Sequence, residues 1–142
     1  MRRVLILNGP NLDQLGTREP ELYGTLSLAD IEQLSIDTAL GFDIEVDFRQ
    51  TNDESVLIGW LHEAAKERIP VIMNPAAFTQ YSFAVRDAAA MLQAPLIEVH
   101  LSNPLTREEF RHTSLISGIS KGTISGFGEQ SYVLAIQAIS KL

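Results

Sequence analysis

The chain has 142 residues, enough for one domain with a sizeable core, and 45% hydrophobic against 20% charged residues is ordinary for a globular protein. A net charge of −7 and a pI near 4.8 argue against nucleic acid or an anionic membrane as partner. They leave room for a small anionic ligand whose site opposes the overall charge. The absence of cysteine excludes disulfides, thiolate metal sites and thiol catalysis.

The basic start Met1-Arg2-Arg3 is followed by an apolar stretch of only Val4 to Leu7, too short for a signal peptide. No run approaches the ~20 residues of a membrane-spanning helix, so a cytoplasmic location is the expectation. Val4-Leu5-Ile6-Leu7 reads as a central parallel strand covered on both faces. Ser27 to Asp30 has the form of a capping box, followed by Leu28, Ile31, Leu34 and Thr38 at helical spacing, with Gly41 as the stop. Ile44 to Phe48 alternates apolar and polar, as a half-exposed edge strand does.

A second helix fits Glu54 to Arg68, with Leu57, Trp60, Leu61, Ala64 and Ala65 on one face. Pro70 to Met73 is another central strand, and a third helix is predicted from about Ser82 to Leu92, before Pro95. Leu96 to Val99 is a fourth strand and Thr123 to Ser125 a short fifth. A last helix carries Tyr132, Ala135, Ile136 and Ile139. Strands alternating with helices predict one α/β domain over residues 1–142, a flavodoxin-like doubly wound five-stranded parallel sheet in the order 2-1-3-4-5. The connections at 9–26 and 100–122 are long for such a domain, and long loops in compact folds usually carry function.

Ligands of open α/β sheets bind beyond the carboxyl ends of the strands. Strand one runs into Asn8-Gly9-Pro10-Asn11, strand three into Asn74-Pro75, and strand four into His100-Leu101-Ser102-Asn103. A single asparagine at a strand end commonly just serves a turn. Three such ends converging on one predicted site favour a functional reading of the group. Glu98 interrupts an apolar strand, and a buried carboxylate is costly unless paired. Residues two apart on a strand face the same side, which makes Glu98 and His100 neighbours. A carboxylate beside an imidazole orients it and favours its protonated form, as a general acid requires, although such a pair can also be purely structural.

In the first long loop, Arg18 and Tyr23 have the composition of a tyrosine base with a cation to stabilise its phenolate. Lowering that pKa from about 10 to about 8 needs roughly 2.7 kcal/mol. Taken alone they are ordinary surface residues. Gly126-Phe127-Gly128 lacks the third glycine of a dinucleotide fingerprint and reads as a helix start. His62 falls on the surface of the second helix. The histidines and carboxylates have no metal-ligand spacing.

In its motifs the sequence resembles the type II 3-dehydroquinate dehydratases (type II dehydroquinases). The matching stretches are L-N-G-P-N-L at 7–12, L-G-T-R-E-P-E-L-Y-G at 15–24, F-R-Q-T-N at 48–52 and N-P-A-A-F-T at 74–79. R-D-A at 86–88, E-V-H-L-S-N at 98–103, R-E-E-F-R-H at 107–112 and G-F-G at 126–128 complete the set. The resemblance implies a homododecamer built from trimers. It implies dehydration of 3-dehydroquinate to 3-dehydroshikimate, in the shikimate or quinate pathway, by anti elimination through an enolate. Neither a metal nor an organic cofactor would be needed.

On the matching positions, Tyr23 would be the base, Arg18 would lower its pKa, and His100 supported by Glu98 would protonate the departing hydroxyl. Asn11 would steady the enolate through a water. Asn74, Ala76, Leu101 and Ser102 would hold the substrate, Gln80 and Arg111 would face its ring hydroxyls, and Asp87 would reach a neighbouring subunit's site. The chain departs from the family where His-Thr usually follows N-P-A-A-F-T and Gln80-Tyr81 stands instead. It also departs at Asp13-Gln14, Ser55 and Thr113. Glutamine still donates and accepts hydrogen bonds but cannot carry charge. The departure leaves open a divergent or silent paralogue that acts on, or senses, a related cyclic polyhydroxy acid. A flavin carrier is a fold-level alternative, but it needs a phosphate-binding loop where this chain has Asn-Gly-Pro-Asn.

Overall fold

The computed structural model describes residues 1–17, 21 and 26–142. Five parallel strands, β1 (Arg2–Asn8), β2 (Ile44–Gln50), β3 (Val71–Asn74), β4 (Leu96–His100) and β5 (Gly122–Ser125), form one sheet in the order β2-β1-β3-β4-β5. Its central strands are apolar on both faces because both are covered. Val4, Ile6, Ile72, Ile97 and Val99 pack with Ile31 and Ala39 of α1 (Leu28–Leu40) and with Tyr132, Ala135, Ile136 and Ile139 of α5 (Gln130–Ile139). Leu5, Leu7, Val71, Met73 and Leu96 pack on the other face against Leu57, Leu61 and Ala64 of α2 (Glu54–Glu67) and Val85, Ala88 and Ala89 of α4 (Phe83–Ala89). At about 25 cal/mol per Å² of apolar surface removed from water, these two layers are the main stabilising term.

The local signals act as expected at the element starts. Ser27 and Asp30 exchange both bonds of a capping box at the start of α1. Asp53 accepts from the Ser55 N–H at 2.9 Å to open α2, and Ser82 Oγ accepts from the Val85 N–H at 3.1 Å to open α4. β2 and β5 are the edges, and Glu45 and Gly122 are exposed there.

The helices differ in places from the sequence reading. α4 ends at Ala89 rather than near Leu92, because Met91 and Leu92 donate to Ala88 and Ala89 in tighter i→i+3 turns that bring the chain to β4. Ahead of it lies a single-turn helix, α3 (Phe78–Tyr81), too short to leave a periodic signal. Gly41 does end α1, but with φ −65°; the left-handed residue of that turn is Asp43, φ 58°. The connection at 100–122 is organised by 3-10 turns at Pro104–Thr106, Glu109–Arg111 and Ser117–Ile119.

Candidate active site at the carboxyl end of the sheet

The loops leaving β1 and β3 approach each other closely. Gly9 donates to the Asn74 carbonyl at 2.8 Å, and a Cβ on Gly9 would lie 2.5 Å from the Pro75 oxygen, so only glycine fits there. Asn11 (φ 69°) and Ala76 (φ 50°) both adopt the left-handed conformation. Asparagine tolerates it, whereas alanine does so at a cost of about 1–2 kcal/mol, which places a strained turn directly in the site. The Ala76 N–H donates to Asn74 Oδ1 at 3.2 Å, which helps hold that turn.

These loops and the exit of β4 enclose a cleft of about 670 Å³ including its open mouth. Of the residues singled out from the sequence, Asn11, Asn74, Ala76, Gln80, His100, Leu101, Ser102 and Arg111 all line it. Pro10, Leu12, Leu15, Ala77 and Pro104 supply apolar walls. Asp87 does not line it: its side chain is 69% exposed and pairs with Arg86 at 3.2 Å. Arg18 and Tyr23 lie outside the described residues.

Glu98 is 1% exposed and lies on the α2/α4 face of β4, two residues before His100. His100 Nε2 donates to its Oε2 at 2.5 Å, which leaves Nδ1 as the imidazole's other working nitrogen. Burial pushes the Glu98 carboxyl up, but hydrogen bonds from His100, Ser117 and Ser114 outweigh it, and the group titrates below the usual range. Glu98 is therefore an ionised carboxylate near neutral pH.

The sequence reading missed three contributors. Ser114 and Ser117 bond Glu98 from a segment with no periodicity, where nothing in the sequence marks them. Arg107 also lines the cleft, with a side chain only 10% exposed, and its Nη1 donates to Ser102 Oγ at 3.4 Å. The signal available was the arginine spacing of R-E-E-F-R-H, in which only Arg111 was singled out. Arg111 donates to Glu108 at 2.9 Å and stacks 4.6 Å from the Phe110 ring centroid. Two guanidinium groups at one cleft give an acidic protein a local field suited to an anion.

On the opposite face of the sheet a second buried network reaches the cleft. Asn74 Nδ2 donates to the Tyr132 hydroxyl at 3.0 Å, Tyr132 donates to Asn8 Oδ1 at 2.6 Å, and Asn8 Nδ2 donates to the Arg49 carbonyl at 2.9 Å. Desolvation drives the Tyr132 pKa far above that of a free phenol, so this tyrosine stays neutral and acts as a fixed link.

Of the departures, Gln80 faces the cleft, while Tyr81 is 59% exposed and packs edge-on to Phe78. Asp13 and Thr113 are exposed, and Ser55 donates to the capping Asp53. Among the described residues no group of three or more His, Cys, Asp or Glu is placed to hold a metal ion, and no helix is long and apolar enough to cross a membrane.

Residues 2–140 match the family model described as class II dehydroquinase. The chain belongs to the class II dehydroquinase family. It is 53% identical over 138 residues to the 3-dehydroquinate dehydratase of Salinispora tropica, covering 97% of this chain and 96% of that one. It is 52% identical over 136 residues to that of Bacillus licheniformis, covering 96% and 94%. The crystal structure of the type II dehydroquinase from Propionibacterium acnes superposes with a TM-score of 0.98 at 44% identity, covering 100% of this chain and 98% of that one. The five-stranded sheet in the order 2-1-3-4-5 is thus the dehydroquinase fold expected from the sequence.

Proposed function

We propose that this dehydroquinase converts 3-dehydroquinate to 3-dehydroshikimate, releasing water. The observation that carries the reading is the buried Glu98–His100 pair at the mouth of a cleft with two arginines. The arginines and the Leu101–Ser102 turn bind the substrate carboxylate and ring hydroxyls, with Asn74, Ala76 and Gln80 opposite. Tyr23, with Arg18 lowering its pKa, removes the proton on the carbon next to the ketone. The electron pair of that C–H bond goes into an enolate, which Asn11 steadies through a water. The enolate collapses to the conjugated enone as the carbon–oxygen bond to the hydroxyl breaks, and imidazolium His100 gives that oxygen its proton. Each turnover leaves one proton on Tyr23 and one missing from His100, so exchange with solvent restores both.

The reading includes a cytoplasmic homododecamer in which Asp87 reaches the site of a neighbouring copy. Its test is a pair of substitutions assayed for both turnover and ligand binding. Tyr23→Phe and His100→Ala should each lower kcat by about 10²–10⁴-fold while 3-dehydroquinate binding stays measurable. Undiminished turnover in either variant would remove that residue from its role.

A further inference from the structure

Glu98 is held by more than its histidine. Its Oε1 accepts from Ser117 Oγ at 2.6 Å and from Ser114 Oγ at 3.1 Å, while its Oε2 accepts from Ser114 Oγ at 3.0 Å and from His100 at 2.5 Å. Ser114 Oγ itself accepts the backbone N–H groups of Ile116 and Ser117, each at 3.0 Å. Those two bonds occupy its lone pairs, and its single proton is turned onto the carboxylate.

A buried carboxylate–imidazole pair can hold its shared proton at either end. Burial favours the uncharged arrangement, carboxylic acid beside neutral imidazole. Among the described residues, the other charged or titratable groups lining the space around the pair are Arg107 and Arg111 on the cleft side and His112 in the adjoining pocket. On β3 and β5, the register partners of Glu98 are Met73 and Thr123, which are neutral. The arginine charges favour a carboxylate but oppose a further positive charge on His100. Two hydroxyl donors aimed at the carboxylate stabilise the charged arrangement and place no cation beside the imidazole.

We propose that Ser114 and Ser117 are positioning residues for the reaction: their hydroxyls keep the pair's proton on His100 and fix the carboxylate plane that aims the imidazole into the cleft. The catalytic consequence rests on the acid role of His100 proposed above; where the proton sits does not.

Ser117→Ala is the cleaner variant, because Ser114 also braces its own turn. The measurement is the ¹³C shift of the Glu98 carboxyl and the ¹⁵N shifts of His100 near neutral pH in the intact protein. Ser117→Ala, Ser114→Ala/Ser117→Ala and Ser117→Thr are compared with the parent. The parent should show carboxylate and imidazolium. Ser117→Ala should move both signals toward carboxylic acid and neutral imidazole, the double variant should move them further, and Ser117→Thr should restore them. In step, kcat should fall about tenfold in Ser117→Ala, with KM unchanged and recovery in Ser117→Thr. Unchanged ¹³C and ¹⁵N shifts in folded Ser117→Ala would overturn the proposal, whether or not the double variant folds. Shifts that move while kcat does not would uphold the serine device and remove the acid role of His100 instead.

Discussion

Two polar networks cross the core beneath the cleft, one on each face of the sheet, and they solve the cost of burial differently. On the α1/α5 face, Asn8, Tyr132 and Asn74 are neutral, and each bond among them satisfies a donor and an acceptor. On the α2/α4 face, Glu98 is charged and is stabilised by His100 and two serines. The neutral network can only hold a geometry, whereas the charged one can also hand over a proton. The acid role proposed for His100 needs the second kind, and the first braces the turn that carries Asn74.

The largest effect separating the two faces is expected from Glu98→Gln. It keeps the volume but removes the charge that supports an imidazolium, and kcat should fall about 10²-fold with little change in KM. Steady-state kinetics check this, and a loss confined to KM would place Glu98 in binding rather than in proton transfer.

Tyr132→Phe tests the neutral face. It leaves Asn8 Oδ1 and Asn74 Nδ2 without their buried partner, so unfolding free energy should drop by about 1–3 kcal/mol. A fall in urea stability with kcat nearly intact would keep the two faces distinct. A loss of kcat as large as that of Glu98→Gln would erase the distinction.

Gln80→His concerns the rim between the faces. If glutamine weakens a bond to the ring hydroxyls, kcat/KM on 3-dehydroquinate should rise by up to about tenfold. No gain would mean the pocket has adapted to glutamine.

The smallest expected effect is in acid stability. The Glu98 carboxyl is lowered in the folded state by its hydrogen bonds. Its contribution is therefore present above the ordinary carboxylate pKa of about 4.3 and is lost as pH falls through the lower folded value. Asp47 and Glu63, lowered mainly by hydrogen bonds from Arg49, lose theirs in the same direction. Chemical denaturation at several pH values should give a shallower acid limb for Glu98→Gln than for the parent.

The fold was legible because its signals are local and periodic: the apolar runs of β1, β3 and β4, the capping box at Ser27, the alternation of β2. The convergence of Asn11, Asn74 and His100 followed from the strand ends alone, and the pairing of Glu98 with His100 followed from strand geometry. What the sequence hid lies in irregular chain. Ser114 and Ser117 reach Glu98 from 16 and 19 residues away through a 3-10 segment, and no periodicity connects them. Tyr132 read simply as a core residue of its helix, because the two asparagines it joins lie 124 and 58 residues away in the chain. Arg107 stands in the R-E-E-F-R-H stretch, but its place in the cleft wall shows only once the chain is folded.

The most direct test of the central claim is the ultraviolet absorbance of the conjugated enone when the purified chain meets 3-dehydroquinate. A steady rise that is abolished by His100→Ala is the expected result. No rise with folded protein that still binds the compound would contradict it, leaving a dehydroquinase fold that recognises such an acid without dehydrating it.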